Sequence, residues 1–267
     1  SRAAQLDLCL RSIRANAQNV ISDVIVLWTT SHETFEEGYD ICRSEHSETM
    51  FIRESRFEND VFAIVNNGYL NETVCFIMDD DVLYREITTP TPEQILQQHT
   101  DAICFSLRLG TNSTYCYPLK RNQGQPNLII DHVAYTEKDF AYWYWRTGDG
   151  DFGYPASLDG HVFRTPELAV LLSETTFKNP NSLEDALVVS TKHMLAPKMC
   201  SYRLSHLVGV PANRVSNTHV GNRYGEKNFE PEGILNRRYL EGGRIDLHSI
   251  DPKLVNAAHV EFPLKFV

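Results

Sequence analysis

The run Val74-Cys75-Phe76-Ile77-Met78 is apolar without interruption and ends directly on Asp79-Asp80-Asp81. A short continuous apolar run of this kind reads as a strand buried on both faces. Its carboxyl end is therefore anchored in the core, and the acidic triplet is anchored with it. Carboxylates held close together repel and raise one another's pKa. A bound Mg²⁺ or Mn²⁺ would remove that penalty, since hard oxygen ligands are what such ions take. Ligands of open α/β sheets also bind beyond the carboxyl ends of the strands. The triplet therefore predicts a metal-dependent active-site corner, and the alternative is a solvated acidic turn.

The segments before the triplet predict its frame. Leu6, Leu8, Leu10, Ile13 and Ala17 fall mostly at helical spacing, predicting a helix over residues 3–18. Val24 to Trp28 and Met50 to Ile52 read as short buried strands, with helices over 33–45 and 59–69. Alternation of this kind predicts an α/β fold, a mostly parallel, doubly wound sheet flanked by helices. Beyond the triplet come a short helix ending near His99, a strand over 102–107, and an irregular aromatic stretch over 110–160. Val162 to Arg164 returns to strand, followed by helices over 166–173, 182–194 and 232–240. Neither a repeat nor a low-complexity linker divides the chain, so residues 1–267 read as a single domain with a C-terminal extension.

Composition narrows the function classes. The 267 residues are 42% hydrophobic and 22% charged, ordinary for a globular domain. The net charge of -10 argues against a nucleic-acid binder but not against a nucleotide held through a cation. Ser1-Arg2-Ala3-Ala4-Gln5 does not resemble the core of a signal peptide. No run approaches the roughly 20 apolar residues of a membrane span, which leaves peripheral membrane association as an option. Six scattered cysteines without a CxxC pair predict reduced thiols, not a zinc site or disulfide framework, and a cytoplasmic protein.

Residues 4–86 resemble the nucleotide-binding half of a GT-A (Rossmann-like) glycosyltransferase, close to the inverting family 2. The resemblance rests on Gln5-Leu6-x-x-Cys9-Leu10-x-Ser12-Ile13 and on Asp79-Asp80-Asp81, which satisfies the family's Asp-x-Asp signature. It implies a nucleoside-diphosphate sugar donor, with residues 1–100 as the donor-binding half, 101–208 as the acceptor and catalytic half, and 209–267 as a lid and extension. It also implies that Asp79 faces the ribose side and joins the metal site, that Asp81 holds Mn²⁺ or Mg²⁺ bridging the diphosphate, and that Asp80 serves either purpose. Family members open with a strand and a base-binding loop ahead of the first helix. Here the helix follows Ser1 at once, so the expectation is either a fragment lacking that strand or a base pocket built otherwise.

The same resemblance covers two later segments. Tyr154 to Arg164 resembles the strand and turn near the donor sugar, with Asp159 reading hydroxyls and Gly160 allowing close approach; an ordinary glycine turn is the other reading. Asn179-Pro180-Asn181-Ser182-Leu183-Glu184-Asp185 matches the family's Glu-Asp pair. Asp185, with Glu184 second, is the expected general base, since attack by an acceptor hydroxyl requires loss of its proton. Both acids would equally suit the first turn of a helix capped at Asn181 or Ser182. His219 is a candidate third metal ligand or a plain surface residue. Arg214 and Arg223 are candidate phosphate contacts, and Arg108 either contacts the donor or pairs with the acidic corner. Within Tyr142-Trp143-Tyr144-Trp145, alternation along a strand leaves at most half of the rings for a sugar acceptor, here assigned to Trp143 and Trp145.

The expected reaction is a metal-dependent, inverting transfer of a sugar from a nucleoside diphosphate to a carbohydrate or glycolipid hydroxyl. Two alternatives stand beside it. Asp79-x-Asp81 also resembles the nucleophile motif of haloacid-dehalogenase-type phosphohydrolases. A non-catalytic nucleotide-sugar or carbohydrate-binding module is the other.

Overall fold

The computed structural model describes residues 2–30, 32–66, 72–131, 140–192, 194–213, 223 and 225–267. Helix α1 (Ala3–Ala17) buries Leu6, Leu8, Leu10 and Ile13, as its spacing predicts, but also Gln5, Asp7 and Ser12. It is enclosed on several sides, and its polar groups are paired in place. Ser12 Oγ accepts the Leu83 N–H at 3.0 Å, and Asp7 meets His46 Nε2 at 3.0 Å.

Strands β1 (Ile25–Trp28) and β2 (Met50–Arg53), joined through α2 (Glu36–Glu45), form a parallel pair of their own. Helix α3 (Phe57–Asn66) leads to β3 (Thr73–Phe76), and β4 (Asp81–Leu83) starts on the last aspartate. Helix α4 (Pro92–Gln98) opens with a capping box between Thr91 and Gln94 and leads into β5 (Ala102–Ser106). The aromatic stretch holds short strands β6 (Tyr115–Cys116), β7 (Arg121–Asn122), β8 (Ile129–Asp131) and β9 (Phe140–Tyr144). There follow β10 (His161–Arg164), α5 (Thr165–Ser173), α6 (Pro180–Thr191), β11 (Lys198–Tyr202), β12 (Leu207–Gly209) and α7 (Glu232–Leu240).

The central sheet has six strands in the order β3-β10-β5-β11-β9-β8. It is mixed, which corrects the expectation of a mostly parallel sheet: among the described residues β5 and β11 are its one pair of parallel neighbours, while β10 enters antiparallel between β3 and β5. A strand buried on both faces carries the same apolar run whichever way it points, so direction was not visible in the composition of these segments.

Helices cover both faces. Ile103, Trp143, Phe163 and Met199 pack with Leu168, Leu172, Leu183 and Leu187 of α5 and α6. Phe105, Phe140, Val162 and Cys200 pack on the other side with Ile13 of α1 and Ile95 and Leu96 of α4. A third cluster joins α1 to α7 and to Ile245, Val255, Phe262 and Leu264. The C-terminal segment thus folds back onto the first helix, where Arg11 Nη2 donates to Ile245 O at 2.7 Å. Among the described residues no helix is long and apolar enough to cross a membrane.

Candidate active site

Asp79 and Asp80 form the turn between β3 and β4, closed by Asp81 N–H donating to Met78 O at 3.1 Å. Their side chains turn toward one cation. Arg2 Nη1 lies 2.8 Å from Asp79 Oδ1 and 3.2 Å from Asp80 Oδ2. Arg2 is itself held from behind, its Nε donating to Asn213 Oδ1 at 3.0 Å and its Nη2 to Asn213 O at 2.8 Å. Burial raises the Asp80 carboxyl, and Arg2 offsets part of that rise.

Asp81 is different. It is 1% exposed, and its Oδ2 accepts the Met78 N–H at 2.9 Å while its Oδ1 is buried without a hydrogen-bond partner. Burial, then the charges of Asp159 and Asp80, push it well above the usual carboxylate range. Its strand neighbour explains the free oxygen. Asp81 pairs across β4 and β12 with Gly209, which in turn bridges to His259 in the C-terminal segment. A side chain at position 209 would collide with the His259 ring, and its Cβ would stand 3.3 Å from Asp81 Oδ1. Glycine leaves the space that Asp81 and His259 share.

His259 opens onto a second set of charges. Its Nε2 is 3.2 Å from Asp159 Oδ2, which also receives Arg108 Nη1 at 3.0 Å. Arg108 is buried and reaches toward Asp151, with Nη2 3.6 Å from Oδ1. Burial alone would raise Asp159, but the hydrogen bond and charge of His259, with Arg108, hold it below the usual range. Burial alone would lower His259, and Asp159 outweighs it, so the imidazole is pushed up. A carboxylate that orients a histidine in this way is a common arrangement behind a metal ligand. Gly160, at φ +73°, places the turn: Leu107 N–H donates to Gly160 O at 2.9 Å and Gly160 N–H to Phe76 O at 2.8 Å. Next to it His161 is buried and neutral, lowered to about 3 by burial and by Arg108, with Nδ1 bonded to Pro155 O at 3.2 Å.

The Glu-Asp pair divides. Helix α6 is capped by Asn179, not by Asn181 or Ser182, so the acids lie past its first turn. That displaces the reading in which they merely answer the helix dipole. Glu184 is half-buried and accepts the Leu158 N–H at 3.1 Å; burial, then Asp159, raises its pKa. Asp185 is exposed.

Other expected site residues fall elsewhere. Trp143 and Trp145 are core residues, 0% and 7% exposed, with indole N–H groups donating to Phe152 O and Ala196 O. This corrects their assignment to an acceptor face: alternation along β9 leaves Tyr144, not the tryptophans, open to solvent. Arg108 is committed to Asp159 and Asp151, and Arg223 to Glu226 and to Tyr117 O. His219 and Arg214 lie outside the described residues. The histidine brought to the corner is His259, in Ala257-Ala258-His259-Val260-Glu261. Its only sequence signal is a pair of small residues ahead of it, fitting a tight backbone approach.

Among the described residues no three His, Cys, Asp or Glu side chains already form a metal-binding group. A divalent cation here would take Asp81 Oδ1, a buried oxygen without a hydrogen-bond partner, and His259 Nδ1, the imidazole nitrogen that Asp159 does not hold.

No family model matches the chain. Over 154 residues, 56% of its length, it is 27% identical to the bifunctional glycosyltransferase pgtA of Dictyostelium discoideum. The chain spans about a fifth of the length of that protein (20%).

Proposed function

We propose that the protein is a glycosyltransferase of GT-A type, moving a sugar from a nucleoside-diphosphate donor to a carbohydrate or glycolipid hydroxyl with inversion. The observation that carries this reading is Asp81, a buried carboxylate with one free oxygen, standing with His259 over Gly209. Similarity to a glycosyltransferase over 154 residues supports the same class.

Asp81 and His259 would hold Mn²⁺ or Mg²⁺, which when bound stabilises the charge on the departing diphosphate. Asp159 orients His259, and Arg108 keeps Asp159 ionised. Asp79 and Asp80 define the donor side of the corner. Glu184 is the better placed general base, because it belongs to the Asp159 and Arg108 network, whereas Asp185 is exposed. A raised carboxylate is the stronger base once it has lost its own proton. The phosphohydrolase alternative needs Asp79 as a free nucleophile, and Arg2 already occupies that carboxylate.

The test is turnover of a panel of nucleoside-diphosphate sugars with Mn²⁺ present or chelated. Hydrolysis or transfer is expected with Mn²⁺, lost with chelator and in Asp81→Asn. Turnover indifferent to both treatments, or none with any sugar nucleotide, would overturn the reading.

A further inference from the structure

We propose that Arg2 is a resident counter-ion that competes with a divalent cation for the aspartate corner, so that a cation recruits Asp79 or Asp80 only by displacing the guanidinium. The inference deepens the metal reading given above and rests on it.

Nη1 of Arg2 takes up Asp79 Oδ1 and Asp80 Oδ2, oxygens a metal bound at Asp81 would otherwise recruit from the same turn. The Arg2 side chain is only 10% exposed, so its charge is poorly screened by water. An arginine cannot yield by losing its proton. It has to move, and its other bonds resist that: Asn213 holds Nε and Nη2, while the Arg2 backbone N–H donates to Tyr39 OH at 3.3 Å.

Neutralisation at the corner is also incomplete. One guanidinium faces two carboxylates, and among the described residues no ion pair joins it to Asp81, whose Oδ1 has no hydrogen-bond partner. A cation arriving at Asp81 therefore meets first a buried oxygen that has no hydrogen-bond partner. It then confronts a fixed positive charge across the turn. A guanidinium so placed sets the affinity of the corner, in addition to shaping it.

The test is calorimetric titration of Mn²⁺ alone into the wild-type chain and into Arg2→Met, Arg2→Lys and Asp81→Asn, with folding checked by circular dichroism. Competition predicts that Arg2→Met binds Mn²⁺ about tenfold more tightly than wild type, because both an occupant and a like charge are gone. Arg2→Lys should fall between them, since a point ammonium lacks the fork that spans Asn213 and both carboxylates. Mn²⁺ binding seen in Arg2→Met but not in wild type is the same result in stronger form. Unchanged or weaker binding in Arg2→Met overturns the proposal, for Arg2 would then only support the turn. If Arg2→Met does not fold, Arg2→Lys decides by the same criterion. A wild type that binds Mn²⁺ through Asp81, with no tightening in the Arg2 variants, defeats this inference alone. Absence of binding in every form defeats the metal reading together with it.

Discussion

Asp79 and Asp80 face a guanidinium, whereas Asp81, the next residue, faces an imidazole across a glycine and keeps one oxygen free. Residue type alone does not separate the three, and only the family resemblance assigns them different tasks. Strand geometry separates them: the first two lie in the turn, while the third begins β4 and is carried inward by pairing with β12. The difference is one of partners: a guanidinium for the first two, burial without a paired cation among the described residues for the third. Asp79 and Asp80 have a buried cation beside them, whereas Asp81 is desolvated with one oxygen that has no hydrogen-bond partner.

The largest expected effect tests that division directly. Asp81→Ala should reduce Mn²⁺-dependent sugar transfer by about 1000-fold, and Asp79→Ala by only about tenfold, measured as kcat/KM with one donor. Equal losses would erase the distinction between the two sides.

Next in size is the division within the Glu-Asp pair. Glu184→Gln should lower kcat by about 100-fold, and Asp185→Asn by a few-fold at most. The raised pKa of Glu184 adds a pH signature. A proton held to higher pH leaves the base form scarce in mild acid, so kcat should climb with pH along a limb above the ordinary glutamate range. A limb at the ordinary range, or a larger loss in Asp185→Asn, would return the base role to Asp185.

How much of this was legible in the sequence depends on whether a feature is local. The helix over 232–240 was read to the residue, and α1 nearly so, because periodicity and composition suffice for a helix. Strand β11, Lys198-Met199-Cys200-Ser201-Tyr202, was not read, because its alternation is broken by polar residues that the sheet buries. Its neighbour β12 was also missed, three residues being too few for a pattern. Asp81 is singled out by sequence because three acids after an apolar run form a local anomaly. His259 is not, because its place beside that corner depends on a bridge to Gly209, fifty residues earlier in the chain. Trp143 in β9 and Trp145 just past its end show the remaining limit: period two divides a strand into two faces but does not say which face meets a helix layer.

Gly209→Ala sharpens the comparison from its geometric side. The new Cβ would press on the His259 ring and approach Asp81 Oδ1 while leaving both residues present. Mn²⁺ affinity should fall by about tenfold, with stability lower by about 1–3 kcal/mol, as overpacking typically costs. Since Arg2, Asp79 and Asp80 are untouched, unchanged Mn²⁺ affinity would mean that the cation sits on their side of the corner.

The smallest effect separates the buried histidine from the buried acids around it. His161 is lowered to about 3, so the folded chain keeps it neutral while the unfolded chain protonates it below its ordinary value. Its contribution to stability is complete above about pH 6.5 and is lost as pH falls from there toward its folded value, by up to about 1.4 kcal/mol per pH unit. Asp81 and Glu184, raised by burial, act in the opposite direction and favour the folded state at lower pH. Urea midpoints at pH 7.5 and 5.5 should therefore differ less in a His161→Gln chain, which lacks the acid-labile group, or should reverse in order. An unaltered difference would show that His161 takes up its proton without opening the β3-β10-β5 core, and that the neutrality of this side of the site does not depend on the fold.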